Sequence, residues 1–202
     1  MSSVSREGAP PSSLLHLVEI VPGPDLKDIS ELLGRAEALV RATGGAVVES
    51  VWAAGLGRLY LILEQIDPVA LEATLEAEGL AVKEVALVRL IGTAAGGGRT
   101  APSHLVEWDL PVELGMEQYL KRKAEKSPLY AQVPEVQFLR TYVREDTVKC
   151  LCLYEAPDDD AVRRARAAVG APISRLDRVD GGEERPPLGG AQPREGSVAG
   201  GR

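Results

Sequence analysis

The tetrapeptide His16-Leu17-Val18-Glu19 returns as His104-Leu105-Val106-Glu107, 88 residues further along the chain. Leu61 and Leu63 return as Leu151 and Leu153 at an offset of 90. Four letters can recur by chance, but here the matches fall in the same element and in the same order, so an internal duplication is the simplest account. The fold must then be one that can be built twice from about 80 residues, a size at which a domain is only marginally stable alone and gains from packing on its twin.

Both copies run through the same succession of periodic segments. In the first, residues 14–21 read as a strand, and residues 25–42 put Leu26, Ile29, Leu32, Leu33, Ala36, Leu39 and Val40 on one side of a helix. Gly44-Gly45 stops that helix, and strands follow over 46–53 and 58–64. Asp67-Pro68 provides an N-cap acceptor and a proline where no amide partner is lost, a helix runs to about residue 78, and 81–91 is a closing strand. The second copy reads as strand 104–109, helix 113–126 stopped by Ser127-Pro128, strands 136–143 and 149–155, helix 158–169 and strand 173–179. The order β-α-β-β-α-β predicts an α+β chain of tandem ferredoxin-like domains, over 14–92 and 103–180. Residues 1–13 and 181–202 read as disordered tails, and 93–102, with Gly96-Gly97-Gly98, as a Gly-rich linker.

Charge and composition narrow the function. The net charge of −7 leaves no concentrated positive face of the kind that drives nucleic-acid binding. Lys121, Arg122, Lys123 and Lys126 form the densest basic cluster, but Glu117 and Glu125 share their helix, and the group reads as a solvated face. No apolar run reaches the roughly 18 residues of a membrane span. Cys150 and Cys152, two apart on one strand, are badly placed for a mutual disulfide, which points to a reducing cytoplasm. No phosphate loop, Cys-x-x-Cys pair or nucleophile elbow is present, and Asp158-Asp159-Asp160 reads as helix capping.

Helices on one side of each sheet leave the opposite face needing a cover. An unpaired carboxylate is strongly disfavoured under helices, so Glu19 and Glu107 belong on the open face, and period-two alternation brings Leu17, Leu105 and Asp109 with them. The leucines at 59, 61, 63, 151 and 153 suit the helix side, leaving Tyr60, Ile62, Glu64, Cys150, Cys152 and Tyr154 on the open side, joined by Phe138, Arg140, Tyr142 and Trp52. Such a mixed surface suits closure of sheet on sheet as a pseudo-dimeric α+β barrel, within one chain or as a homodimer, around a cavity faced by Glu19 and Glu107. The plainer reading pairs these glutamates with Arg58 or Arg140.

Three runs carry a family resemblance: Leu105-Val106-Glu107-Trp108-Asp109-Leu110-Pro111, then Thr141-Tyr142-Val143, then Cys152-Leu153-Tyr154-Glu155-Ala156-Pro157-Asp158, followed by Ala161-Val162-Arg163 and Gly170-Ala171-Pro172. Over 103–180 the chain resembles a small bacterial domain family of mostly unknown function, one branch of which is described as nickel-binding. The resemblance implies a ferredoxin-like fold, a tendency to dimerise, and a nickel or other divalent metal cofactor. Two positions where that family often has histidine are here Arg140 and Ala165, so the remaining metal candidates are Glu107, Asp109 and Cys152, with Cys150 behind them. His16 and His104 read as buried or edge histidines without metal.

Two functions follow. The first is a cytoplasmic protein that binds a small ligand or metal ion between its sheets, with no catalytic motif. The alternative is a barrel-type enzyme, an oxygenase, isomerase or cyclase, in which desolvated Glu19 or Glu107 acts as base while Arg140 and Tyr142 stabilise developing negative charge.

Overall fold

The computed structural model describes residues 14–23, 28–55, 57–92 and 101–179. The expected tails at 1–13 and 181–202, and residues 93–100 of the expected linker, lie outside the described residues. The element order is β1 (Leu15–Val21), α1 (Ile29–Ala42), β2 (Ala46–Ala53), β3 (Arg58–Glu64), α2 (Pro68–Ala77), β4 (Ala81–Gly92), β5 (His104–Asp109), α3 (Met116–Lys126), β6 (Gln137–Arg144), β7 (Lys149–Glu155), α4 (Asp159–Ala168) and β8 (Arg175–Arg178), with a 3-10 helix at Ser127–Gln132. Aspartates cap three of the helices. Asp28 accepts from the Ser30 amide, Asp67 from Val69 and Ala70 with Pro68 beside it, and Asp158 from Ala161.

All strands join one antiparallel sheet in the order β2-β3-β1-β4-β6-β7-β5-β8. The two halves meet where β4 pairs with β6, from Val88 opposite Arg144 to Gly92 opposite Arg140. Gly92 is required there: its φ is +109°, and a Cβ would stand 2.9 Å from the Leu139 carbonyl oxygen. The outer edges also touch. Ala53 bridges Val179, the Ala54 amide donates to the Arg178 carbonyl at 3.3 Å, and the Gly55 amide donates to Asp177 Oδ1 at 3.1 Å. A sheet joined at both edges encloses one of its faces, which removes exposed strand edges and gives each half the cover it lacks alone.

Burial follows that geometry in three layers. Under α1 and α2 lie Val18, Ile20, Leu59, Leu61 and Leu63; under α3 and α4 lie Val106, Trp108, Val143, Cys150, Cys152 and Tyr154. The enclosed face is filled by Leu17, Tyr60 and Ile62 from the first half and Leu105, Tyr142, Leu151 and Leu153 from the second.

The alternation expected in the first half holds for β1 and β3. In the second half β7 is inverted: Leu151 and Leu153 face inward, while Cys150, Cys152 and Tyr154 sit under the helices together with Phe138. The cause is register. Val18 pairs with Leu61 and its counterpart Val106 with Cys152, so β3 and β7 correspond at an offset of 91 and not 90. A slip of one residue turns every side chain to the other face. Phe138 is separated from Arg140 by a bulge that resets the parity of β6. Trp52 is likewise corrected: it packs on the α1/α2 side, and Val51 and Ala53 face inward instead.

Leu151 is 2% exposed at the centre of the enclosed layer. Leu151→Ala is expected to lower the unfolding free energy by about 3 kcal/mol in denaturant titration. A loss below roughly 1 kcal/mol would mean that the layer does not close over this side chain.

Candidate functional site

Both glutamates singled out by the repeat are buried on the enclosed face, at one end of it, and both are neutralised. Glu19 is 0% exposed; its Oε1 lies 2.7 Å from Arg58 Nη1 and 3.1 Å from Lys83 Nζ, and its Oε2 3.2 Å from Lys149 Nζ. Lys149, at the start of β7, also reaches Glu84 at 2.6 Å and Glu107 at 3.7 Å. Tyr60 donates to Glu107 at 3.5 Å, and Arg175 stands 3.9 Å from the same oxygen. Lys149 thus ties the β1 glutamate of one half to the β5 glutamate of the other. Burial alone would push the Glu19 carboxyl up, but Lys149, Lys83 and Arg58 together hold it below the ordinary value. This direction is opposite to the raised value expected of a desolvated base. Burial, and then the Glu19 and Glu107 charges, push the Tyr60 phenol far up, so that it stays protonated and donates.

A second polar group crosses the enclosed face. Glu49 of β2 accepts from Arg140 Nε at 2.9 Å and 3.1 Å, from Arg140 Nη2, and from the Tyr142 hydroxyl. Arg140 and Tyr142 therefore converge, but on Glu49 and not on Glu19 or Glu107. Burial and the Glu49 charge push the Tyr142 phenol up.

The proposed metal donors do not converge. Glu107 is on the enclosed face, Cys152 is under α3 and α4, and the Asp109 residue is exposed, its amide donating to Ser174 Oγ at 2.8 Å. Among the described residues no group of three or more His, Cys, Asp or Glu could hold a metal ion. His104 Nδ1 meets Ser103 Oγ at 2.8 Å, and His16 is kept neutral by burial.

The cleft of the molecule lies outside this polar interior, between α3 and α4. Trp108, Tyr119 and Tyr130 wall it, Arg122, Lys123, Lys126 and Arg166 line it, and it opens to solvent. Trp108 is flanked by two guanidinium groups, Arg166 at 5.3 Å and Arg122 at 5.8 Å from its ring centre, and Lys123 Nζ sits 4.0 Å over the Phe138 ring. Behind the wall, Tyr130 and Tyr154 share a hydroxyl hydrogen bond of 2.9 Å, and the free thiols of Cys150 and Cys152 lie 3.8 Å apart. The α3 cations are thus one wall of a cleft and not only a solvated face, because α4 brings Arg166 against them. Sequence spacing gave no sign of this: Arg166 is far along the chain and its helix is otherwise ordinary. Lys149, Glu84 and Glu49 were also missed, their charges being no different in pattern from surface ones.

Residues 104–179 match the family described as nickel responsive protein SCO4226-like. Among solved structures, a protein named as a candidate monooxygenase from Lactobacillus acidophilus NCFM is 12% identical, with a TM-score of 0.47, covering 84% of this chain and 94% of that one. An anthrone oxidase-like protein is 13% identical, with a TM-score of 0.47 and coverage of 84% and 92%. The corresponding figures for a candidate chlorite dismutase, TA0507, are 10%, 0.46, 83% and 95%. A search of curated proteins finds no match.

Two outcomes test the charged interior. Lys149→Met, which takes a shared cation from Glu19, Glu84 and Glu107 and leaves Glu107 only the more exposed Arg175, is expected to cost roughly 3 kcal/mol or more in denaturant unfolding. Because the folded value of Glu19 is depressed, its contribution is complete above its ordinary value of 4.5 and is lost as pH falls through the folded value. Stability measured between about pH 7 and pH 3 should therefore fall less steeply on the acid side for Glu19→Gln than for the parent; parallel curves would show that Glu19 is not held ionised.

Proposed function

We propose that the protein is a small-ligand-binding protein, built from two copies of a ferredoxin-like unit closed as a pseudo-dimeric α+β barrel, with its ligand seated in the α3–α4 cleft. The observation that carries this reading is the cleft itself: aromatic walls, cationic lining and an opening, assembled from β5, α3, the 3-10 helix and α4. All of these lie within the segment that matches the nickel-responsive family. The unbridged thiols are in keeping with a reducing compartment.

Binding without turnover is favoured over a barrel-type enzyme by the state of the inner carboxylates. Glu19 and Glu107 lie against cations, and Glu49 is occupied by Arg140 and Tyr142. A general base needs a lone pair turned to a substrate, and these are turned to protein donors. Nickel does not fit the residues present: the sulfur and carboxylate candidates are on different faces, and the cleft is lined by positive charge.

The test uses the full chain. Native mass spectrometry identifies what is carried from the cell, and the emission of Trp108, isolated by Trp52→Phe, reports occupancy of the cleft. Ala171 lines the cleft, and Ala171→Leu is expected to abolish the saturable Trp108 response while the far-ultraviolet circular dichroism is unchanged. A ligand that binds equally well to Ala171→Leu would place the site elsewhere and sink the reading.

A further inference from the structure

The four cations of the cleft differ from the basic residues gathered around Glu19, Glu49 and Glu84. Arg58, Lys83, Arg140, Arg144 and Lys149 all lie within 4 Å of a carboxylate. Among the described residues, no ion pair joins Arg122, Lys123, Lys126 or Arg166 to any Asp or Glu, although the chain as a whole is acidic.

Arg166 is the decisive member. It is 3% exposed; Nη1 reaches the Tyr154 hydroxyl at 3.2 Å and Cys152 Sγ at 3.6 Å, Nη2 donates to the Pro172 carbonyl, and its Nε is buried with no acceptor. A guanidinium withdrawn from water needs a counter-charge and an acceptor for each N–H. The Trp108 face supplies neither acceptor nor net charge, and the Cys152 thiol, drawn well below its ordinary value by Cys150, Arg166 and Lys123, answers the charge but gives Nε no acceptor. The ends of α3 and α4, where these cations lie, attract positive charge, and Arg122 donates to the Gly170 carbonyl at 2.5 Å, but a helix end does not give Nε a partner. Beside it, burial pulls the Lys123 ammonium below its ordinary value, although the Cys152 and Cys150 sulfurs act the other way.

We propose that the cleft binds an oxyanion, a phosphate-, sulfate- or carboxylate-type group, which accepts from Arg166 and Lys123 and stands beside Trp108. This rests on the cleft being the ligand site and adds the chemical class of the ligand. The cleft opens to solvent, so the anionic group is either free or at the end of a larger molecule that leaves through the open side.

Isothermal calorimetry of the full chain with inorganic phosphate, sulfate and acetate at neutral pH tests it. One site per chain is expected for at least one of the three, weakening with added NaCl and by about tenfold or more in Lys123→Met and Arg122→Met, which keep Arg166 and the core intact. Phenyl phosphate distinguishes the sources: tighter binding than inorganic phosphate assigns the oxyanion to a larger aromatic molecule, and equal binding assigns a free ion. Absence of saturable binding of all three ions up to about 10 mM, or affinity indifferent to both substitutions, overturns the proposal. If a neutral ligand nevertheless gives the Trp108 response that Ala171→Leu abolishes, the binding reading stands and the oxyanion falls; if no ligand does, both fall.

Discussion

Pairing of β4 with β6 is the contact on which the rest of this molecule depends. Each half has helices on one side of its strands and a face of Leu, Ile and Tyr on the other, and neither could leave that face in water. The β4–β6 ladder sets the halves edge to edge, curvature brings β2 to β8, and the two bare faces become one interior. The two seams are unequal. One is a ladder of five paired positions, and the other a single bridge with two supporting hydrogen bonds. The continuous sheet therefore owes its order mainly to the first.

Closing a sheet around polar side chains requires that each find a partner inside. Here the partners come from opposite halves. Lys149 of the second half answers Glu19 of the first, and Glu49 of the first answers Arg140 of the second. Ile62 pairs with Glu49 in the first half and Leu153 with Arg140 in the second, so Glu49 and Arg140 occupy corresponding places at the offset of 91. Corresponding positions of the two halves thus carry opposite charges, which lets the halves attract each other where identical residues would repel. Such pairs add little to net stability compared with apolar packing, but a wrong register would strand a charge, and that penalty selects one arrangement of the halves.

The order and type of the elements were legible because hydrophobic period and capping are local: β2, β3, β5 and β7 begin and end where alternation and Gly or Asp punctuation place them. The β1 glutamate could be turned inward from the same reasoning. What failed was the transfer of parity between halves. A bulge in β6 and a register correspondence of 91 are set by long-range pairing, and an alignment by leucines, off by one, reversed the whole of β7. Arg166 was out of reach for a similar reason: a basic residue on an amphipathic helix reads as solvent-facing until the packing partner, here the Trp108 face, is known.

The corrected register explains why the two halves differ in chemistry. At the offset of 91, Leu59, Leu61 and Leu63 correspond to Cys150, Cys152 and Tyr154, and at the β1–β5 offset of 88, Ile20 corresponds to Trp108. The first half fills the space beneath its helices mainly with aliphatic side chains, Trp52 excepted. The second puts thiols, a phenol and an indole there, and these admit a guanidinium: Tyr154 and Cys152 take hydrogen bonds from Arg166, and Trp108 gives it a face to lie on. Replacing those positions with the leucines of the first half would leave Arg166 Nη1 without partners and press the side chain back toward solvent. The second half thus has the more polar core of the two, and the cleft lies against it.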